Sequence, residues 1–131
     1  MNETLNLRTL ANLRGCRVLS SDDVELGRLI EILYDSSSEI PVWLGVAPSR
    51  GLRFDTLLAP AVGAMEHAGA LQLRYTSEMV RKQPPTDHGE GFASAGDERR
   101  LYRFFALPFN EGIDLRVLHP GDDLPGSESV F

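Results

Sequence analysis

Residues 16–35 read CRVLSSDDVELGRLIEILYD, and the alternation within this stretch decides the fold. A short apolar run, CRVLS, and a longer one, LGRLIEILYD, flank a break rich in turn-forming side chains. That pattern predicts strand, polar turn and strand, a β-hairpin. Gly27, just inside the second strand, marks a bulge or a close approach of two backbones. Within LIEILY, Leu29 and Leu33 alternate with Ile30, Ile32 and Tyr34, so one extended strand here is apolar on both faces. Something must cover the outer face: a helix of the same chain, or the same surface of a second copy across a two-fold axis.

The strand texture continues downstream. DSSSE at 35–39 predicts a turn, VWLGVA at 42–47 a third strand, PSRG at 48–51 another turn, and LRFDTLLAP at 52–60 a fourth strand that Pro60 ends or edges. GALQLRY at 69–75 carries a clean two-residue period, with Leu71, Leu73 and Tyr75 on one side and Gln72 and Arg74 on the other. Thr76-Ser77-Glu78 then caps a short helix over MVRKQ, which Pro84-Pro85 stops. Five strands at this spacing predict a small sandwich or barrel. Upstream, Leu5, Leu7, Leu10 and Leu13 suit neither period, and residues 1–14 read as a lead-in with one helical turn.

The stretch from Pro84 to Gly96 has too few large apolar side chains to pack and reads as a linker. Ser94-x-x-Asp97 matches a capping box before DERRLYRFFAL, a helix over 97–106 with Leu101, Phe104 and Phe105 on one apolar face. Ile113, Leu115, Val117 and Leu118 predict a last short strand before an acidic, fraying tail, GDDLPGSESVF. The organisation expected is a β domain over 1–85, a flexible linker over 86–96 and a C-terminal arm over 97–131.

At 131 residues, with 42% hydrophobic and 24% charged side chains, the chain has the composition of one ordinary globular domain. Its single cysteine, Cys16, leaves no intramolecular disulfide, which suits a reducing compartment. No apolar run approaches the ~20 residues of a membrane helix, and MNETLNLRTL lacks the basic start and apolar block of a signal peptide. The expected location is the cytoplasm, without membrane insertion. A net charge of −6 argues against chain-wide attraction to nucleic acid. The acidity is uneven, because 85–131 holds nine acidic residues against four basic ones.

Several short motifs in this order resemble the PRC-barrel family, named for the cytoplasmic part of the photosynthetic reaction-centre H subunit. Leu13-Arg14-Gly15-Cys16-Arg17-Val18 is similar to the family's opening L-x-G-x-x-V, and Leu26-Gly27-Arg28-Leu29 to its second-strand glycine segment. Tyr34-Asp35 resembles the aspartate that closes that strand, Pro60 and Met65 the segment after the fourth, and Leu71 to Pro84 the final strand, helix and proline. The Leu-Tyr-Arg-Phe-Phe stretch at 101–105 is similar to a C-terminal helix of bacterial single-domain members. A departure is Ser21-Asp22-Asp23-Val24, where the family usually has a glycine before the second strand. The resemblance implies an all-β fold: a small antiparallel barrel of five or six strands, a short helix after the last of them, and a C-terminal amphipathic helix. It also implies a docking or assembly role, relatives including a ribosome-maturation factor that contacts a small-subunit ribosomal protein.

Residues suited to chemistry are sparse. Cys16 lies among Leu13, Val18 and Leu19, where a buried small side chain is the expected role. His67, His88 and His119 have no metal-ligand spacing. Asp22, Asp23 and Glu25 fall short of a calcium loop and suit a solvated turn. Gly89-Glu90-Gly91 lacks the strand, lysine and hydroxyl of a phosphate loop. The expectation is therefore no catalytic, metal or cofactor site, and a non-catalytic interaction module forming homo-oligomers. Its candidate interface is Ile30, Ile32, Tyr34, Trp43, Leu101, Phe104 and Phe105. The alternative is an RNA-processing or ribosome-assembly factor, whose arginines would gather on one face; Arg8, Arg14, Arg17 and Arg28 form one such set, and Arg50, Arg53 and Arg74 another.

Overall fold

A computed structural model describes residues 5–48, 56–84, 95–108 and 114–118. The element order is α1 (Leu7–Asn12), β1 (Arg17–Leu19), β2 (Glu25–Asp35), β3 (Pro41–Pro48), β4 (Leu57–Pro60), β5 (Met65–His67), β6 (Ala70–Gln72), α2 (Ser77–Arg81), α3 (Ala95–Phe104) and β7 (Leu115–Leu118). The fold is mainly β. Its strands form one mixed sheet of seven in the order β4-β3-β2-β1-β6-β5, with β7 paired to β2 beyond the end of β1. The hairpin over 16–35 and the turn at 35–39 lie where the alternation predicts them. The lead-in forms a true helix, α1, which Asn6 caps by accepting a hydrogen bond from Thr9 N–H at 2.8 Å.

Three features correct the expected antiparallel barrel of five or six strands. The described residues form seven strands. The β1·β6 ladder is parallel, Val18 facing Leu71 and Leu19 facing Gln72. Among the described residues no ladder joins β4 to β5, so the sheet is open. Gln83 supplies a physical reason for the open edge. Its amide accepts from Leu58 N–H at 3.0 Å and donates to the Leu58 carbonyl at 2.7 Å, occupying the backbone groups a further strand would use. Yet the sheet is strongly curled. The connection from Pro60 to Met65 spans at most about 19 Å, whereas the edges of a flat six-strand sheet lie about 24 Å apart.

β2 is the spine of this curl. Against β1, Leu26 is an extra residue between Glu25 and Gly27, and against β3, Ile30 is extra between Leu29 and Glu31. Two bulges turn a two-residue period into a three-residue one, and Leu26, Leu29 and Ile32 all enter the inner core at 1% exposure or less. Val18, Leu44, Val46, Leu57, Ala59 and Leu71 meet them there, closed at one end by Leu7, Leu10 and Leu13 of and beside α1. The expected face assignment of LIEILY is corrected by the second bulge: Ile32 lies inside with Leu29, while Leu33 points outward.

Two glycines make the hairpin possible for different reasons. Gly27, with φ +156°, sits so close to β3 that a Cβ would overlap the Ala47 carbonyl oxygen and lie 2.7 Å from its carbon. Gly15, with φ +88°, faces open space, so only its backbone conformation favours glycine. Gly15→Ala is therefore expected to cost about 1 kcal/mol, and Gly27→Ala about 3 kcal/mol because the β2–β3 ladder must shift. Urea denaturation of the two variants checks the order; equal costs would refute the close approach at Gly27.

Candidate functional site

The expected interface residues separate into two groups. Ile32, Trp43 and Leu101 are fully buried and Phe105 is 2% exposed, so within one protomer they form packing, not surface. Ile30, Tyr34 and Phe104 are half-buried. The outer face of β2–β3–β4 presents Leu33, Trp43 and Leu58, and α3 lays Leu101, Tyr102 and Phe105 across it. Burying each of these large side chains stabilises the docked helix by roughly 1.5–3 kcal/mol. Ring contacts fix its seat. Trp43 meets Tyr102 edge-on at 5.2 Å between centroids, and Tyr75 meets Phe105 at 5.0 Å. The greasy outside of β2 is thus covered by the chain's own helix.

Sequence reasoning passed over three polar members of this scaffold. Tyr102 is buried, and burial pushes its hydroxyl pKa up while the neighbouring Trp43 side chain acts in the opposite direction. Glu31 is buried on the same outer face opposite Gly45, where a Cβ would lie 2.9 Å from the carboxylate Oε1. The missing side chain at Gly45 makes the room for Glu31. Gln83 is the third, its amide also donating to the Val80 carbonyl at 2.8 Å. Only the Gly45 position within an otherwise large-residue strand, VWLGVA, signalled any of this in the sequence.

The acidic turn is a structural joint. Asp22 accepts hydrogen bonds from the Ser20 hydroxyl, from Ser77 N–H at 2.9 Å and from the Ser77 hydroxyl at 3.0 Å. It thereby ties the β1–β2 turn to the start of α2, whose own cap is Thr76. Asp23 accepts from the Gln72 amide at 2.7 Å, and Glu25 faces Arg17 at 3.6 Å. Cys16 is half-buried against the inner core, and burial pushes its thiol pKa up, away from the reactive thiolate. His67 is exposed on β5. His88, His119, Gly89-Glu90-Gly91, the Ser94 cap, Arg50, Arg53 and the tail lie outside the described residues. Among the described residues, no three His, Cys, Asp or Glu side chains gather as a metal site.

The described residues also line surface grooves, two of which bear on recognition. One, of about 410 Å³, runs between α1 and the β2–β3 turn, lined by Leu5, Leu7, Arg8, Glu39, Ile40 and Pro41 among others. Ile40 is 55% exposed there. The second, of about 320 Å³, lies between the end of α2 and α3, lined by Lys82, Pro84, Arg100, Arg103 and Phe104. The chain matches no family model and no curated protein. No described helix is long and apolar enough to cross a membrane.

The Asp22 joint generates a pH dependence. Hydrogen bonds from Ser20 and Ser77 lower its pKa from 3.8 to about 2. Those bonds therefore stabilise the fold fully above the unfolded value and fade as pH falls through the window between the two. Asp35 and Glu78 are lowered for the same kind of reason and act in the same direction. Asp22→Asn is expected to lower the thermal midpoint at pH 7 and to flatten its fall between pH 4 and pH 2. Thermal melts across that range check it, and an unchanged acid limb would count against the joint.

Proposed function

We propose that the chain is a non-catalytic protein-interaction and assembly module of the PRC-barrel type, acting in the cytoplasm as a homo-oligomer. Support for the family reading comes from the roles of its motif residues. Leu13 and Val18 are buried in the inner core, Gly15 has positive φ and Gly27 touches β3. These are positions where the backbone or the core needs those residue types, in a curled β-sheet of open form.

The observation that carries the interaction reading is the groove beside α1. Most large aliphatic side chains described are hidden, yet Ile40 stands 55% exposed on an apolar rim with Leu5 and Pro41. Its occupant in this reading is a second copy. Arg8 and Glu39 line the same groove, so a two-fold apposition brings unlike charges together around the two isoleucines. Light scattering after gel filtration is expected to give twice the 14.5 kDa chain mass. Ile40→Glu is expected to weaken association at least about tenfold with an unchanged circular dichroism spectrum. A monomeric wild type at high micromolar concentration would overturn the dimer.

One observation favours the second reading, an RNA-associated assembly factor. Arg17 and Arg28 are exposed and sit directly opposite each other in the β1·β2 ladder, and like charges so placed repel. Arg28 also reaches the Gly15 carbonyl at 3.4 Å, next to Arg14. This pair suits a phosphate backbone. If it is used so, affinity for a single-stranded RNA oligonucleotide falls steeply with salt, and R17Q/R28Q reduces the salt slope by about 1–2. Equal binding by both proteins at every salt concentration counts against it.

A further inference from the structure

The groove between α2 and α3 has the opposite sign to the protein around it. The chain carries −6 overall, yet Lys82, Arg100 and Arg103 converge there around Phe104 and Pro84. The complementary sequence is in the same chain. After β7 ends at Leu118, residues 119–131 read HPGDDLPGSESVF, in which Asp122, Asp123 and Glu128 carry all the formal charge beyond a neutral histidine and Leu124 follows the acidic pair.

We propose that the groove lined by Lys82, Pro84, Arg100, Arg103 and Phe104 is the docking site of the chain's own acidic segment 122–128, with Leu124 against Phe104 and the carboxylates on the three cations. The reach is of the right order: β7 and β4, the strand that α2 contacts, are three ladder spacings apart, about 14 Å, and six extended residues from Leu118 to Leu124 span up to about 20 Å. Charge and shape select the face. The Arg17–Arg28 pair lies on an open strand pair with Glu25 beside Arg17, whereas the α2–α3 groove combines cations with an apolar floor. Lys82 pairs with Glu78 at 2.7 Å, with both side chains at least 70% exposed, a contact that an arriving carboxylate exchanges easily. The proposal does not depend on the oligomeric reading, because it concerns contacts within one chain.

The single lysine of the sequence makes the test direct. Carbodiimide joins an amine to a carboxylate in contact with it, so the full chain at low salt is treated and its Lys82 adducts are identified by peptide mass spectrometry from the monomer band. The Lys82–Glu78 link is the internal standard. The expected result is an additional Lys82 link to Asp122, Asp123 or Glu128 in the monomer. In R100Q/R103Q, whose changes are on exposed positions of α3, the tail link is expected to fall at least about threefold relative to the Glu78 link. Three results would overturn the proposal: the Glu78 link alone, a tail link found only between two chains, or a tail link whose yield ignores the arginine substitutions.

Discussion

The register of β2 against its neighbours is the constraint on which the rest of the structure depends. An ideal strand would send every second side chain inward. The extra residues Leu26 and Ile30 break that rule twice within β2, so that Leu26, Leu29 and Ile32 fill the inner core while Leu33 faces out. Bulges also bend and twist the strand that carries them. The same two irregularities therefore choose the core residues and provide the curl that brings β4 and β5 towards each other. Gly27 belongs to this constraint, since the ladder beside the first bulge closes only where no side chain separates β2 from Ala47.

A sheet with two apolar faces needs two covers, and the chain supplies both. The inner face closes on itself by curling, with α1 at its end. The outer face is sealed by α3 through Leu101, Tyr102 and Phe105. Gln83 deals with a different liability, the open backbone of β4, by presenting a side-chain amide in the place of a strand. Because an amide bonds a single residue's N–H and C=O, it terminates the sheet where another strand would have extended or closed it.

Much of this was legible in the sequence, and what was not has specific causes. The strands of the hairpin, the third strand and α2 with its Thr76 cap follow from short-range alternation and turn chemistry. The amphipathic face of α3 was legible too, through Leu101 and Phe105, since 3.6-residue periodicity survives whatever the helix packs on. The face of Ile32 was not legible because the second bulge, at Ile30, carries no glycine or other mark such as Gly27 gives the first, and it shifts every later side chain to the other face. The parallel β1·β6 ladder and the role of Gln83 were hidden because each joins residues far apart in sequence, Val18 to Leu71 and Leu58 to Gln83. The candidate interface divides, Ile32, Trp43, Leu101 and Phe105 being buried and Ile30, Tyr34 and Phe104 half-buried, because apolar residues with no local partner look alike in sequence whether the distant partner is α3 or another molecule.

Cover by α3 leaves recognition to rims and not to faces. With Trp43, Leu101 and Phe105 committed to packing within the chain, the surfaces among the described residues that can contact other segments include the grooves at the ends of α1 and α2 and the strand pair bearing Arg17 and Arg28. All are built from turn or helix-end residues and from exposed strand positions, whose identity the fold constrains weakly. A scaffold held by β2 and α3 can then tolerate changes at Ile40, Arg8 or Arg103 without loss of its core, so sequence changes there can alter recognition while the sheet is preserved. Residues that hold the fold and residues that face outward are thus physically separate in this domain, which is the arrangement that the proposed docking role requires.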